Sequence, residues 1–226
     1  MAGDRGAARL VLGTMNYGTT VDRDRAFALL DRFVELGGEW LDTANCYAFW
    51  SDPTGLGGAS ERVIGAWLRA RPDGRARVRI ATKVRYDPLV AHRWPESAEG
   101  LSAGAVEAGV AGSLSRLGVD TVDLLWAHGE DRTVPLAETV AAFGALVSRG
   151  TVRRVGAANH ASWRVEQARA LARNQGVAQW SALQLRHSLA QPRPGAALPT
   201  RVTNFSPPTT STTRTPRAWT CGPTPR

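Results

Sequence analysis

Residues 121–159 read TVDLLWAHGEDRTVPLAETVAAFGALVSRGTVRRVGAAN. TVDLLWAH (121–128) is a short apolar run with strand character, and TVRRVGAAN (151–159) is another. Between them PLAETVAAFGALVSRG (135–150) opens on a proline, which a first helical turn tolerates, and continues as an apolar helix. Strand, helix, strand with short joints is the unit of a parallel sheet covered by helices.

The same alternation runs outward in both directions. Upstream, ARLVLGT (8–14) and EWLDT (39–43) read as strands around VDRDRAFALLDRFVELGG (21–38), a helix that Gly37 and Gly38 terminate. SERVIGAWLRAR (60–71) is the next helix, with Ser60 as its expected cap, followed by the strand VRIATKV (78–84) and the small-residue helix LSAGAVEAGVAGSLSRLG (101–118). Downstream, SWRVEQARALARNQG (162–176) precedes a sixth strand, QWSALQ (179–184). No G-x-G-x-x-G follows the first strand, which disfavours an open dinucleotide-binding sheet. Six units in about 191 residues is roughly 32 per unit, so eight would need about 250, the ordinary size of a closed barrel. The expected fold class is α/β, a (β/α)8 TIM-barrel type, incomplete at about six βα units and occupying residues 1–191.

Residues 192–226 differ in kind. From 191 onward the chain holds eight of its thirteen prolines and nine threonines but no acidic residue. Proline removes backbone donors that strands need, so this Pro/Thr/Arg-rich tail is expected to be disordered. Residues from about 200 onward also have the composition that a shifted reading frame in a GC-rich gene produces, so the chain reads as C-terminally truncated or frame-shifted.

The net charge of +8 does not signal nucleic acid. The tail carries five arginines, leaving 23 basic and 20 acidic residues, net +3, spread through the first 191. No basic stripe interleaved with aromatics remains, so no nucleic-acid partner is expected. No apolar run approaches a membrane span, and the N-terminal residues include none long enough for a signal peptide, so the expectation is a cytoplasmic protein without membrane contact. Two cysteines, Cys46 and Cys221, make neither a disulfide framework nor a metal knot.

Of 28 basic side chains only Lys83 is lysine. A site that keeps an ammonium where every other cation is arginine points to a compact charge with a tunable pKa. In a parallel barrel the chemistry sits at the carboxyl ends of the strands. Asp42 ends the second strand, Lys83 the third and His128 the fourth, while Tyr47 lies in the loop leaving the same rim as Asp42. Each has an ordinary structural role available, but together they suit proton transfer. Asp42 would aim Lys83, and Lys83 would lower the pKa of Tyr47 so that the phenol becomes an acid near neutral pH. His128 would orient the reacting oxygen.

GTMNYG, LDTANCY, ATKV, LLWAH, GTVRRVGAANH and SALQLRHSL, in this order across residues 8–195, resemble the aldo-keto reductases. The resemblance implies an NADPH-dependent oxidoreductase on a (β/α)8 barrel that reduces an aldehyde or ketone to an alcohol. Tyr47 would be the general acid, with Asp42, Lys83 and His128 completing the catalytic set. Asn159 and Gln184 would join Asp42 in binding the cofactor, as the pair that meets the nicotinamide carboxamide. Asn16, Tyr17, Trp50 and Trp94 would lie beside the carbonyl substrate, and no metal is implied. Ala158 stands where the family commonly has serine. The family's seventh and eighth strands have no counterpart, for FSPP (205–208) lacks a leading apolar strand. Two other readings compete: a catalytically impaired fragment or binding module that self-associates through open barrel edges, and a Schiff-base enzyme with Lys83 as nucleophile.

Overall fold

The computed structural model describes residues 10–186. Six strands, β1 (Val11–Gly13), β2 (Trp40–Asp42), β3 (Arg79–Val84), β4 (Leu124–Ala127), β5 (Val155–Ala158) and β6 (Ala182–Gln184), form one sheet in chain order. Every neighbouring pair is parallel. The crossovers carry helices α1 (Arg23–Glu35), α2 (Ala59–Ala70), α3 (Gly74–Arg77), α4 (Ala103–Leu117), α5 (Leu136–Ser148) and α6 (Ser162–Gln175). Strictly sequential parallel pairing curls the sheet into a half-barrel with helices outside, as the alternation requires. The readings of the tail 192–226, of a shifted frame beyond about 200 and of FSPP lie outside the described residues.

Side chains alternate along each strand between two environments. Leu12, Leu41, Ile80, Val84, Leu125, Ala127, Val155, Ala157 and Leu183 face the helices and belong to the main apolar core. The opposite parity, Trp40, Ala81, Leu124, Trp126, Ala158 and Ala182, forms a second cluster on the concave side. Asp42 and Lys83 share that concave parity, so the rule that buries valine outside carries them inward.

Helix boundaries follow local chemistry with two departures from the sequence reading. Asp22 caps α1 by accepting from the Arg25 amide at 2.8 Å, and Ser102 caps α4 through the Ala105 amide at 3.4 Å. Ser60, expected to cap α2, lies inside that helix, and the cap position belongs to Gly58 at φ 89°. The Ser60 hydroxyl is engaged elsewhere, at 2.8 Å from the Thr14 hydroxyl, 2.9 Å from the Thr43 hydroxyl and donating at 2.8 Å to the Thr14 carbonyl. This buried knot ties the ends of β1 and β2 to the start of α2. The short α3 is the second departure; its first residue, Gly74, packs beneath the Trp67 ring.

The small residues of α4 have a packing reason. A Cβ on Gly65 of α2 would stand 2.2 Å from the Arg116 carbonyl, and one on Gly109 would stand 2.4 Å from Glu99 Oε1. Close approach lets Arg116 reach the fully buried Glu61, donating from Nε to Oε2 at 2.7 Å, while Thr82 donates to Oε1 at 2.6 Å.

Candidate active site

β2, β3 and β4 deliver Asp42, Lys83 and His128 to one rim, and the β2–α2 loop brings Tyr47 over them. Lys83 Nζ donates to Asp42 Oδ2 at 2.5 Å and to the Thr43 carbonyl at 2.8 Å. It lies 4.9 Å from the Tyr47 ring centroid. Two of the ammonium's three donors are taken by the Asp42 and Thr43 oxygens, and the third is left for the Tyr47 side.

Lys83 is 1% exposed. Burial alone pulls its pKa down, but the Tyr47 oxygen and the Asp42 carboxylate more than offset this, so the amine is held above its ordinary value and stays charged. Tyr47 departs from expectation. Burial raises its pKa, and Asp42 adds to the rise. The Lys83 charge pulls the other way without prevailing, so the phenol titrates above 10 rather than below. The ammonium acts in the anticipated direction, but loss of water around the ring is the larger effect. The consequence is a phenol that is fully protonated at neutral pH.

His128 is buried, with Nδ1 3.6 Å from Cys46 Sγ and its ring edge-on to Tyr47 at 5.7 Å between centroids. Burial, then the Lys83 charge, depress its pKa well below 6.5, so the imidazole is neutral. Cys46 is itself buried, and its thiol is pushed up by burial, which makes it a packing group rather than a nucleophile.

Asn159 and Gln184 follow on the ends of β5 and β6, with the Asn159 amide donating to the Gln184 carbonyl at 3.0 Å. Asn159 sits at φ 56°, a left-handed conformation that asparagine tolerates, and its Nδ2 donates to the His128 carbonyl at 3.1 Å. The backbone pairing therefore sets Asn159 beside Gln184 on the rim beyond His128.

The expected substrate residues divide. Trp50 is 39% exposed and 6.1 Å from Tyr47, and Phe49 links it to Trp94 through ring contacts of 5.2 and 5.6 Å. These rings make an aromatic wall beside the phenol. Asn16 is exposed on the first loop. Tyr17 is 4% exposed and belongs to the main apolar core, with its hydroxyl unpartnered. Its neighbouring turn closes on α2, where a Cβ on Gly18 would meet the Ala59 carbonyl and Val63 at 3.0 Å, and this draws the ring inward.

Three features went unread in the sequence. Trp126 Nε1 donates to Asp42 Oδ1 at 3.1 Å. Tyr86 packs edge-on against the His128 ring at 5.4 Å between centroids. Asn45, two residues before Tyr47, donates to Glu99 Oε2 at 2.7 Å, and the Arg85 amide donates to the same oxygen at 2.7 Å. Trp126 was legible by parity, lying two residues before His128 on the same strand face. Glu99 was not, since it sits in a loop without periodicity.

Among the described residues no cluster of His, Cys, Asp or Glu is arranged to hold a metal, and no helix is long and apolar enough to cross a membrane. A family model described as Aldo/keto reductase family matches residues 9–198. The chain is 37% identical over 164 residues to uncharacterized oxidoreductase YrpG of Bacillus subtilis, covering 72% of this chain and 49% of that protein. It is 32% identical over 187 residues to an aryl-alcohol dehydrogenase of Pestalotiopsis microspora, covering 79% and 46%. A norsolorinic acid reductase of Emericella nidulans is 31% identical over 184 residues, covering 77% and 45%. The chain spans about half the length of the curated relatives it matches.

Proposed function

This chain belongs to the aldo/keto reductase family, and on that premise we propose that it reduces an aldehyde or ketone to an alcohol at the Tyr47 rim, with NADPH as its hydride source. The observation that carries the reading is the buried contact between Lys83 and Asp42 at 2.5 Å beneath the Tyr47 ring. That cluster holds a protonated phenol against a fixed positive charge, which is what protonating a carbonyl oxygen requires.

Tyr47 donates its proton to the oxygen as charge develops there. Lys83 then stabilises the phenolate it leaves, so the charge is worth most after the transfer. Asp42 keeps Lys83 charged and aimed, and neutral His128 orients the oxygen from beside the phenol. The side-chain oxygen of Asn159 and the amide of Gln184 have the donor and acceptor chemistry of a primary carboxamide's partners, so the rim fits the nicotinamide end of the cofactor. The cofactor, when bound, supplies hydride to the carbonyl carbon. The aromatic wall of Phe49, Trp50 and Trp94 favours an aryl carbonyl, and the aryl-alcohol dehydrogenase named above supports the same substrate class.

The test is NADPH titration of the full chain by fluorescence, followed by NADPH consumption with aryl and alkyl aldehydes and ketones. NADPH binding is expected, with turnover that vanishes in Tyr47→Phe while binding persists. Absence of binding at millimolar NADPH would favour the inert barrel fragment. Borohydride trapping of a substrate on Lys83 would favour the Schiff-base reading, which the charged state of Lys83 opposes.

A further inference from the structure

We infer that Trp126 is a positioning residue for the proposed reaction, its indole N–H holding the Asp42 carboxylate in the one orientation that aims Lys83 at Tyr47. The inference rests on the carbonyl-reductase reading for its activity arm alone.

Asp42 has two carboxylate oxygens, and each has a single side-chain partner: Oδ2 takes the Lys83 ammonium at 2.5 Å and Oδ1 takes Trp126 Nε1 at 3.1 Å. Its backbone carbonyl is fixed separately, accepting from the Thr14 amide and hydroxyl at 3.0 Å each. With only Lys83 attached, the carboxylate could turn about its last torsion and present either oxygen, carrying the ammonium with it. A donor on the second oxygen removes that freedom.

The β4 register places Trp126 directly opposite Lys83, so the indole passes over the lysine stem on the concave face to reach β2. Space for it comes from the other side. Gly156 is its register partner on β5, and a Cβ there would stand 2.8 Å from indole Cζ3. The ring is 7% exposed, so water does not compete freely for its N–H. Indole is a donor only, with no acceptor and no titration in the working range. It therefore fixes the acid without adding a charge that would compete with Lys83. A tyrosine or histidine would bring an acceptor or a second proton equilibrium.

The experiment uses the fact that Lys83 is the chain's only lysine. In full-length protein labelled with 15N-lysine, one side-chain ammonium resonance reports the site without any turnover. Trp126→Phe keeps the ring and deletes the donor. The expected result is a Lys83 titration displaced downward by about half a pH unit or more as the carboxylate loosens, with kcat for a carbonyl falling by about 10-fold, KM changing little and thermal stability nearly unchanged. Asp42→Asn supplies a second measurement, for it should move the Trp126 indole proton toward weaker hydrogen bonding. An unmoved Lys83 titration in folded Trp126→Phe, or an unmoved indole signal in Asp42→Asn, would overturn the inference. If the protein reduces no carbonyl at all, the proposed function fails while the two resonance measurements still decide the role of Trp126.

Discussion

Lys83 Nζ and Asp42 Oδ2 meet at 2.5 Å across the β2–β3 pair, with the lysine side chain 1% exposed and the aspartate 13%. The contact is flanked by the Thr43 carbonyl, the Tyr47 ring and the Trp126 indole. A guanidinium is larger, planar and unable to place three donors around one point. Lys83→Arg is therefore expected to lower kcat on the order of 100-fold or more, with circular dichroism close to wild type. Turnover within a few-fold of wild type would remove Lys83 from the mechanism.

Tyr47 carries a second expectation, about pH. Its pKa is raised above 10 by burial, and the reduction uses the protonated phenol. The reduction rate should thus be flat through neutral pH and decline only in the alkaline range above about 10. The neutral state of His128 adds no step near pH 6.5. Tyr47→Phe should abolish turnover and leave NADPH affinity within a few-fold. An acid-side or neutral break in the wild-type kcat profile would show that another group donates the proton.

Glu99 links the site to stability. Burial pushes its carboxyl from 4.5 to about 7, although Asn45 and the Arg85 amide hydrogen-bond it. Asp87, which faces it, is raised to about 6, again by burial first. Below about pH 4.5 Glu99 is protonated in both folded and unfolded chains. Between there and about 7 only the unfolded chain gives up its proton, so stability declines across that window and the loss is complete above it. Glu99→Gln imitates the protonated form and should raise stability at pH 8 by about 1–3 kcal/mol while changing little at pH 4.5. Urea unfolding at the two pH values measures this, and equal effects at both would show that folding leaves the Glu99 pKa unshifted.

Arg116 and Glu61 give a stability expectation of opposite sign. Glu61 is fully buried, and its Oε2 has the Arg116 guanidinium at 2.7 Å. Arg116→Met leaves an uncompensated carboxylate between α2 and α4 and should destabilise by about 3–5 kcal/mol. The double variant Arg116→Met with Glu61→Gln should recover much of that loss. Failure of the second change to help would mean that packing, rather than the stranded charge, sets the cost.

How far the sequence reached depended on periodicity. All six strands and the helices between them, the short α3 excepted, were legible because apolar parity and helical spacing are local signals. Asp42, Lys83 and His128 were legible because strand ends are predictable places. The capping role given to Ser60 failed because its hydroxyl is drawn into contacts with Thr14 and Thr43 that are 46 and 17 residues distant. The lowered pKa expected for Tyr47 failed for a related reason: a charge can be read from the chain, but the exclusion of water around a ring belongs to the folded assembly. Glu99 and Asn45, 54 residues apart, carry no pattern that would pair them in advance.

The enclosure of a solitary lysine has a practical corollary. Amine-directed acylating reagents find just two kinds of target on this chain, the terminal amine and Lys83, and the native fold shields the second behind its neighbours while keeping it protonated. Covalent labelling of that side chain therefore counts molecules that have opened, so a single mass increment turns the heart of the rim into a clock for unfolding.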